Sequence, residues 1–170
     1  MRVFIQLDVQ NLFFAAMDIN KRIDFKKIKN YFEDSEDDVE SIKAYIVQTP
    51  DIKSDKFVNL LKMLKYDLNI KRASITYDSK GNKSFHNTDQ DMAICVDCME
   101  NIDNFDKWVL MSGDGDFIDL IEHLRSKGKK VEVWTMPGKS FNKRICDYVD
   151  GVKFLSDDFF YDKNKKGDSQ

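Results

Sequence analysis

The sequence predicts an α/β domain in which a central, mostly parallel sheet is covered by helices on both faces. Short apolar runs alternate along the chain with segments whose apolar residues recur at helical spacing, which is typical of βαβ units. The 170 residues, 42% of them hydrophobic, are enough to bury an independent core. We therefore expect one domain over residues 1–156 and a C-terminal extension over 157–170, polar from about residue 163.

The strand predictions rest on six short apolar runs bounded by polar residues. The first run is followed at once by Asp8, Gln10 and Asn11, as expected of a buried strand that ends in a functional loop. The predicted strands are Val3–Leu7, Ala44–Val47, Ala73–Thr76, Trp108–Met111, Val131–Trp134 and Val152–Leu155.

The helix predictions rest on apolar residues spaced three and four apart between these runs. Gly128 is a good C-terminal signal for the helix that follows Trp108–Met111. The segment Glu33–Glu40 carries six acidic residues in eight and is predicted to be a solvated loop. The predicted helices are Leu12–Met17, Phe25–Phe32, Phe57–Leu68, Asp89–Ile102, Phe117–Leu124 and Asn142–Val149.

Composition narrows the class of protein. Three cysteines cannot build a disulfide framework, which favours a reducing, cytoplasmic location. No apolar run reaches the roughly 18 residues of a membrane span, so no membrane partner is expected. A net charge of -3 argues against a tight, sequence-indifferent binder of nucleic acids.

Acidic residues follow two of the predicted strands. Asp8 ends the first strand, with Asn11 three residues later, and the strand Trp108–Met111 runs into Ser112-Gly-Asp114-Gly-Asp116. Carboxyl ends of parallel strands meet at one edge of a sheet, where ligands bind. Asp116 is open to a second interpretation as the N-cap of the next helix, and Asp114 to one as a turn residue.

A third acidic contribution comes from the start of the helix at Asp89. Asp91 lies one turn into that helix and is predicted to face the sheet end, whereas Asp97 lies about 9 Å further along it. We therefore expect Asp91 to ligate directly and Asp97 to support the ligands from behind.

Three or four converging carboxylates repel one another unless a cation neutralises them. Hard oxygen ligands select Mg²⁺ or Mn²⁺, and such a site suits in-line hydrolysis of a phosphodiester. Asn11 or Ser112 is expected to position the phosphate or the attacking water.

These residues resemble the NYN domain of the LabA-like group, a branch of the PIN-like nuclease superfamily. The most specific stretch runs from Val109 through the Ser-Gly-Asp-Gly-Asp-Phe motif and Gly128 to Trp134. The resemblance implies a PIN-like three-layer α/β/α sandwich and a metal-dependent ribonuclease. By position, it implies the metal ligands Asp8, Asp91, Asp114 and Asp116, supported by Asn11 and Asp97.

Basic residues near the acids supply a candidate surface for RNA. Lys139, Lys143 and Arg144 follow the strand Val131–Trp134 and are expected at the same sheet edge. The competing interpretation is that these side chains are merely solvated. The Cys95/Cys98 pair lies within a predicted helix and is expected to be buried and inert.

Two other functions remain open at this stage. A non-cleaving PIN-like module would bind RNA or a protein through the same residues. A phosphatase with Asp8 as nucleophile would need an acid two positions later, where the chain has Gln10. A homodimer or a protein partner is also possible, because Phe159, Phe160 and Tyr161 could pack on a second copy.

Overall fold

The computed structural model describes residues 1–49, 55–86 and 88–162. Its strands are β1 (Arg2–Asp8), β2 (Asp38–Gln48), β3 (Asp67–Arg72), β4 (Ser74–Tyr77), β5 (Lys83–His86), β6 (Lys107–Met111), β7 (Lys130–Thr135) and β8 (Gly151–Phe154). Its α-helices are α1 (Val9–Asp18), α2 (Phe25–Glu33), α3 (Asp55–Met63), α4 (Asp91–Glu100) and α5 (Ile118–Ser126).

Six of these strands form one parallel sheet in the order β3-β2-β1-β6-β7-β8. From the central strand β1 the chain first builds outward to β2 and β3, then returns to β6 and builds outward on the other side. The strand order therefore reverses between β1 and β6. This reversal is a topological switch point, where the loops at the carboxyl edge diverge and leave a crevice for a ligand.

Successive side chains of the strands point to opposite faces of the sheet, so the hydrophobic core has two layers. In β1, Val3, Ile5 and Leu7 pack with α1, α2 and α3 on one face, whereas Phe4 packs with α4 and α5 on the other. Because successive side chains point to opposite faces, Asp8 shares the α4 face with Phe4 and Gln6. The predicted three-layer α/β/α sandwich is confirmed, and the fold is PIN-like.

The third strand of the sheet differs from the prediction. Ala73–Thr76 corresponds to β4, which pairs antiparallel with β5 in a hairpin outside the main sheet. The sheet instead uses β3, whose Leu68 was assigned to the preceding helix and pairs here with Ala44. Helix α3 ends at Met63 because Lys65 adopts a left-handed conformation with φ of 57°.

Two smaller predictions also need correction. The acidic segment Glu33–Glu40 is not entirely a loop, because β2 begins at Asp38 and alternates exposed acids with half-buried Val39. The predicted helix Asn142–Val149 is a 3₁₀ turn over Lys143–Asp147.

The C-terminal extension contributes to the core within the described range. Phe159 and Phe160 are buried against α2 and the sheet, whereas Tyr161 is exposed. The predicted polar tail from residue 163 lies outside the described residues. Within the described residues, no helix is long and apolar enough to cross a membrane.

Candidate metal centre

The acidic residues predicted from the sequence converge at the switch point of the sheet. Strand β1 ends with Asp8, the neighbouring strand β6 is followed by the turn that carries Asp114 and Asp116, and α4 begins with Asp91. Asp91, Asp114 and Asp116 each offer a carboxylate oxygen, and these atoms lie within 4.8 Å of one another. Three oxygens at this spacing fit one hard divalent cation.

The three carboxylates differ in exposure. Asp91 and Asp114 are half-buried, whereas Asp116 is exposed to solvent. The site therefore has one open side, from which a substrate phosphate could approach a bound ion.

Asp8, the fourth predicted ligand, lies outside this group of three and is more deeply buried. One of its oxygens accepts a hydrogen bond from the backbone N–H of Asn11 (3.1 Å) and the other from the hydroxyl of Ser112 (3.1 Å). Burial raises the pKa of Asp8, the two hydrogen bonds oppose that shift, and the negative charges of Asp114 and Asp89 add to it. Asp8 is a buried carboxylate fixed in orientation from both sides.

The electrostatics of Asp91 reflect the crowding of negative charge. Burial and the nearby charges of Asp8, Asp114, Asp89 and Asp116, in that order, raise the pKa of Asp91 to about 6. The raised pKa means that ionising this carboxyl costs more free energy than usual, and a cation between the carboxylates would offset that cost. The donor set and its repulsion therefore fit Mg²⁺ or Mn²⁺.

Ser112 supports the acids instead of facing a substrate. Its side chain is fully buried, and its hydroxyl both donates to Asp8 and accepts from the backbone N–H of Asp114 (3.2 Å). Ser112 was predicted to position substrate, and in this structure no part of the residue reaches solvent. The side-chain oxygen of Asn11 similarly accepts from the backbone N–H of Gly113 (2.9 Å), which links α1 to the turn after β6.

Asp114, and not Asp116, caps the turn that follows β6. The Asp114 carboxylate accepts from the backbone N–H of Asp116 (2.9 Å), and α5 begins after Phe117 without a side-chain cap. The interpretation of Asp116 as an ordinary N-cap is therefore wrong. Its exposed carboxylate has no capping role, which strengthens its assignment to the metal site.

A loop with basic residues packs directly on the acidic turn. The backbone N–H of Asn142 donates to the carbonyl of Gly113 (2.9 Å), and a Cβ atom on Gly115 would lie 2.0 Å from the Asn142 side-chain nitrogen. Only glycine allows this approach at position 115. The contact brings the exposed side chains of Lys143 and Arg144 to the same edge as the carboxylates, and exposed Lys139 lies earlier in the same loop.

Asp97 is anchored away from the three clustered carboxylates. Its carboxylate accepts from the hydroxyl of Tyr45 (2.7 Å) and pairs with the ammonium of Lys43 (2.5 Å), and these bonds lower its pKa against the effect of burial. Tyr45 in turn accepts a short hydrogen bond from Gln6, which also bonds the backbone carbonyl of Ile94 in α4. This network holds α4 over β1 and β2 and so places Asp91 indirectly.

Gln90 is a positioning residue that the sequence reasoning missed. Its buried amide donates to the backbone carbonyls of Ile46 in β2 and Asn69 in β3 (both 3.0 Å). It thereby fixes the residue immediately before Asp91 to the sheet. Its only signal in the sequence is a polar residue at the start of a helix, where a solvated side chain is the usual expectation.

The remaining candidates for chemistry are two thiols in α4 and a histidine in the β4–β5 hairpin. Cys98 is buried and Cys95 half-buried, and burial raises the pKa of both thiols, as expected for inert side chains. His86 is exposed and bonded to Thr76 in the β4–β5 hairpin.

A PIN-like sheet with carboxylates at its switch point defines a protein of the PIN-like nuclease superfamily. The profile of the NYN domain matches residues 2–157, and the chain therefore belongs to the NYN domain family. The resemblance predicted from the sequence is confirmed.

Two known proteins are similar to this chain. The chain is 31% identical over 140 residues to the low amplitude and bright protein LabA of Synechococcus elongatus, covering 81% of this chain and 75% of that protein. It also resembles the crystal structure of a protein of unknown function from Vibrio parahaemolyticus. That likeness has a TM-score of 0.77 at 27% identity and covers 94% of this chain and 96% of the other.

Proposed function

We propose that this protein is a metal-dependent ribonuclease that hydrolyses RNA phosphodiester bonds at the cluster of Asp91, Asp114 and Asp116, with Mg²⁺ or Mn²⁺ as cofactor. The observation that carries the proposal is the convergence of three carboxylate oxygens within 4.8 Å at the switch point. Membership of a nuclease superfamily supports hydrolysis as the reaction.

Each residue has a part in this mechanism. A bound divalent cation would supply Lewis-acid activation of a phosphate oxygen and a more acidic water. Asp91, Asp114 and Asp116 would hold that cation, and Asp8 would add a fixed negative charge beneath it. Lys139, Lys143 and Arg144 would bind the phosphates that flank the scissile bond, because their side chains are exposed at the same edge.

The phosphatase alternative receives little support from the geometry. Both oxygens of Asp8 accept hydrogen bonds, and Gln10 lines an apolar groove on α1. A general acid two residues after the nucleophile is therefore missing. A non-cleaving module would have the same metal ligands, so only a measurement of RNA cleavage distinguishes it from a ribonuclease.

The test is cleavage of a labelled single-stranded RNA with Mn²⁺ or Mg²⁺, followed on denaturing gels. We expect cleavage that EDTA abolishes and that Asp114→Asn lowers by roughly 100-fold or more, since even residues that only support a metal ligand contribute about 10–100-fold. Asp119→Asn is the matched control, because Asp119 is exposed on α5 outside the cluster. Equal cleavage by Asp114→Asn and wild type would remove the proposal.

A further inference from the structure

Helix α4 carries apolar residues on all of its sides, although only one side faces the core. Seven of its ten residues are apolar. Ile94 and Cys98 are buried against the sheet and α5, as in any surface helix. Met92, Val96 and Met99 point away from the core and are 74%, 46% and 39% exposed. A helix that is apolar all round is normally enclosed, so this exposed side is unusual for a solvated helix.

The three exposed residues form one stripe along the outer side of α4, the α4 stripe. They are spaced four and three residues apart, so their side chains lie within about 60° of one another around the helix axis. Residues at this spacing contact a second helix where two helices pack together. Two of the three are methionines, whose flexible side chains adapt to different apolar partners. The stripe therefore fits the apolar side of another helix.

Acidic residues border the α4 stripe on both sides. Helical geometry places Asp91 on one side, towards the candidate metal centre, and Glu100 on the other. Glu100 is exposed, and so is Asp103 directly after the helix. From residue 84 to residue 106 the sequence has six acidic residues and no lysine or arginine.

Cations from elsewhere in the chain offset only part of this negative charge. Three of them lie against acidic residues of the segment: Lys43 at Asp97, Arg2 at Asp106 and Lys71 at the backbone carbonyl of Asp89. Asp91, Glu100 and Asp103 form no ion pair with any described residue. The surface around the stripe therefore keeps a net negative charge.

This charge decides between the possible occupants of the stripe. A second copy that packed α4 against α4 would bring the same unpaired acids together, which costs free energy. A nucleic acid or an anionic membrane would be repelled for the same reason. Charge complementarity selects a cationic partner, and the stripe selects one with an apolar helical side.

We propose that the α4 stripe binds a basic amphipathic helix of a protein partner. The apolar side of that helix covers the stripe, and its lysines or arginines pair with Glu100 and the acids around it. This inference goes beyond the proposed ribonuclease function and does not depend on it. Because Met92 directly follows Asp91, the bound helix would lie beside the candidate metal centre.

The test uses the full chain and a synthetic peptide as the probe. A fluorescein-labelled peptide of leucines and lysines, about 18 residues long, has its leucines three and four residues apart and forms one apolar side. A second peptide has the same composition in scrambled order. We expect fluorescence anisotropy to show at least about tenfold tighter binding of the patterned peptide, because both have the same charge and only one can cover the stripe.

Variants of the stripe and of its border identify the binding surface. Met92→Ser and Val96→Ser should each weaken binding of the patterned peptide by roughly threefold to tenfold, because serine buries less apolar area. Glu100→Gln should weaken it by about twofold to fivefold and make the affinity less dependent on salt.

Two control variants match these changes. Met63→Ser removes a methionine that is 81% exposed on α3, which packs on the opposite face of the sheet. Glu36→Gln removes an exposed acid between α2 and β2, in the other acidic segment of the chain. Both should bind the patterned peptide as wild type does. The melting midpoint of each variant confirms its folding.

Three results would overturn the proposal. The first is equal affinity for the patterned and scrambled peptides, or unchanged affinity in both serine variants of the stripe. The second is a loss of affinity in Glu36→Gln and not in Glu100→Gln, which would assign the peptide to the other acidic segment. The third is a wild-type dimer in sedimentation that Met92→Ser converts to a monomer, which would assign the stripe to a second copy.

Discussion

The hydroxyl of Ser112 donates a hydrogen bond to a carboxylate oxygen of Asp8 over 3.1 Å, in the interior of the domain. These residues come from the ends of the adjacent strands β1 and β6, on either side of the point where the strand order reverses. The same hydroxyl accepts from the backbone N–H of Asp114. One buried side chain therefore connects the acid beneath the site to the turn that carries two of the proposed ligands.

Ser112→Ala should lower both the unfolding free energy of the domain and the rate of RNA cleavage. The substitution leaves an oxygen of buried Asp8 without its donor, which costs about 1–3 kcal/mol of unfolding free energy. It also frees the Asp114 turn, and removal of such a supporting hydrogen bond lowers metal affinity or activity by roughly 10–100-fold. Denaturant unfolding and cleavage rates at saturating Mn²⁺ provide the two measurements.

Ser35→Ala is the control for this prediction. Ser35 is half-buried, and its hydroxyl donates to the carbonyl of Phe32 (2.7 Å) at the end of α2, remote in the fold from the cluster. It should lose some stability and retain full cleavage. Equal cleavage by the two alanine variants would contradict the role of Ser112 as a positioning residue.

The parts of the fold that follow from local pattern could be predicted from the sequence. Five of the six predicted runs lie in strands of the main sheet, because buried parallel strands are continuous apolar segments. The sixth, Ala73–Thr76, has the same local character as those five. Its place in a separate hairpin depends on where the chain turns at Lys65, which is a long-range outcome.

The candidate site shows the same division between local and long-range information. Asp114 and Asp116 could be predicted as metal ligands, because glycines and aspartates directly after a predicted strand indicate a tight acidic turn. The roles of Ser112 and Gln90 could not be predicted, because the sequence does not show whether a polar side chain is buried or solvated. Gly115–Phe117 forms a 3₁₀ turn before α5, and the residue that caps this turn is Asp114 and not Asp116.

Gly115→Ala should disturb the site through Asn142. The added Cβ would lie 2.0 Å from the Asn142 side-chain nitrogen and 2.7 Å from its Cγ, so the side chain must leave its bond to the backbone N–H of Arg144. We expect a loss of about 1–3 kcal/mol in unfolding free energy and a clear loss of cleavage.

A second substitution tests the cause of that loss. Asn142→Gly removes the clash, and replacing an N-cap asparagine by glycine costs only a few tenths of a kcal/mol. The double variant Gly115→Ala/Asn142→Gly should therefore recover most of the unfolding free energy that Gly115→Ala loses. Gly151→Ala is the matched control, because its Cβ would meet only the Glu132 side chain at an ordinary 3.7 Å. Additive effects of the two changes at 115 and 142 would argue against the contact.

The basic loop should determine the salt dependence of RNA binding. Lys139→Gln, Lys143→Gln and Arg144→Gln each remove one exposed cation beside the cluster. For each RNA phosphate that a variant no longer neutralises, the slope of log affinity against log salt concentration should become shallower by about 0.7. Lys127→Gln, at the opposite end of α5, should leave the slope unchanged. Identical slopes in all four variants would show that the loop lysines and arginine are only solvated.

Asp91 should make the metal-free protein less stable at neutral pH than in mild acid. Its pKa is about 6 in the folded chain against an ordinary value of 3.8, so the folded state binds the proton more tightly. The resulting stability is fully present below pH 3.8 and is lost as the pH rises through about 6. Other acids contribute their own pH dependence, and comparison with Asp91→Asn isolates this one.

In EDTA at pH 7.5, roughly one and a half pH units above that pKa, Asp91→Asn should therefore melt higher than wild type. Because the carboxyl is partly solvated, we expect about 1 kcal/mol, or about 2–4 °C in a domain of this size. Millimolar Mn²⁺ should raise the melting temperature of wild type and of the control Asp119→Asn, and should raise that of Asp91→Asn much less, because a ligand is missing. A variant that melts lower in EDTA, or that responds fully to Mn²⁺, would show that Asp91 neither repels its neighbours nor holds the ion.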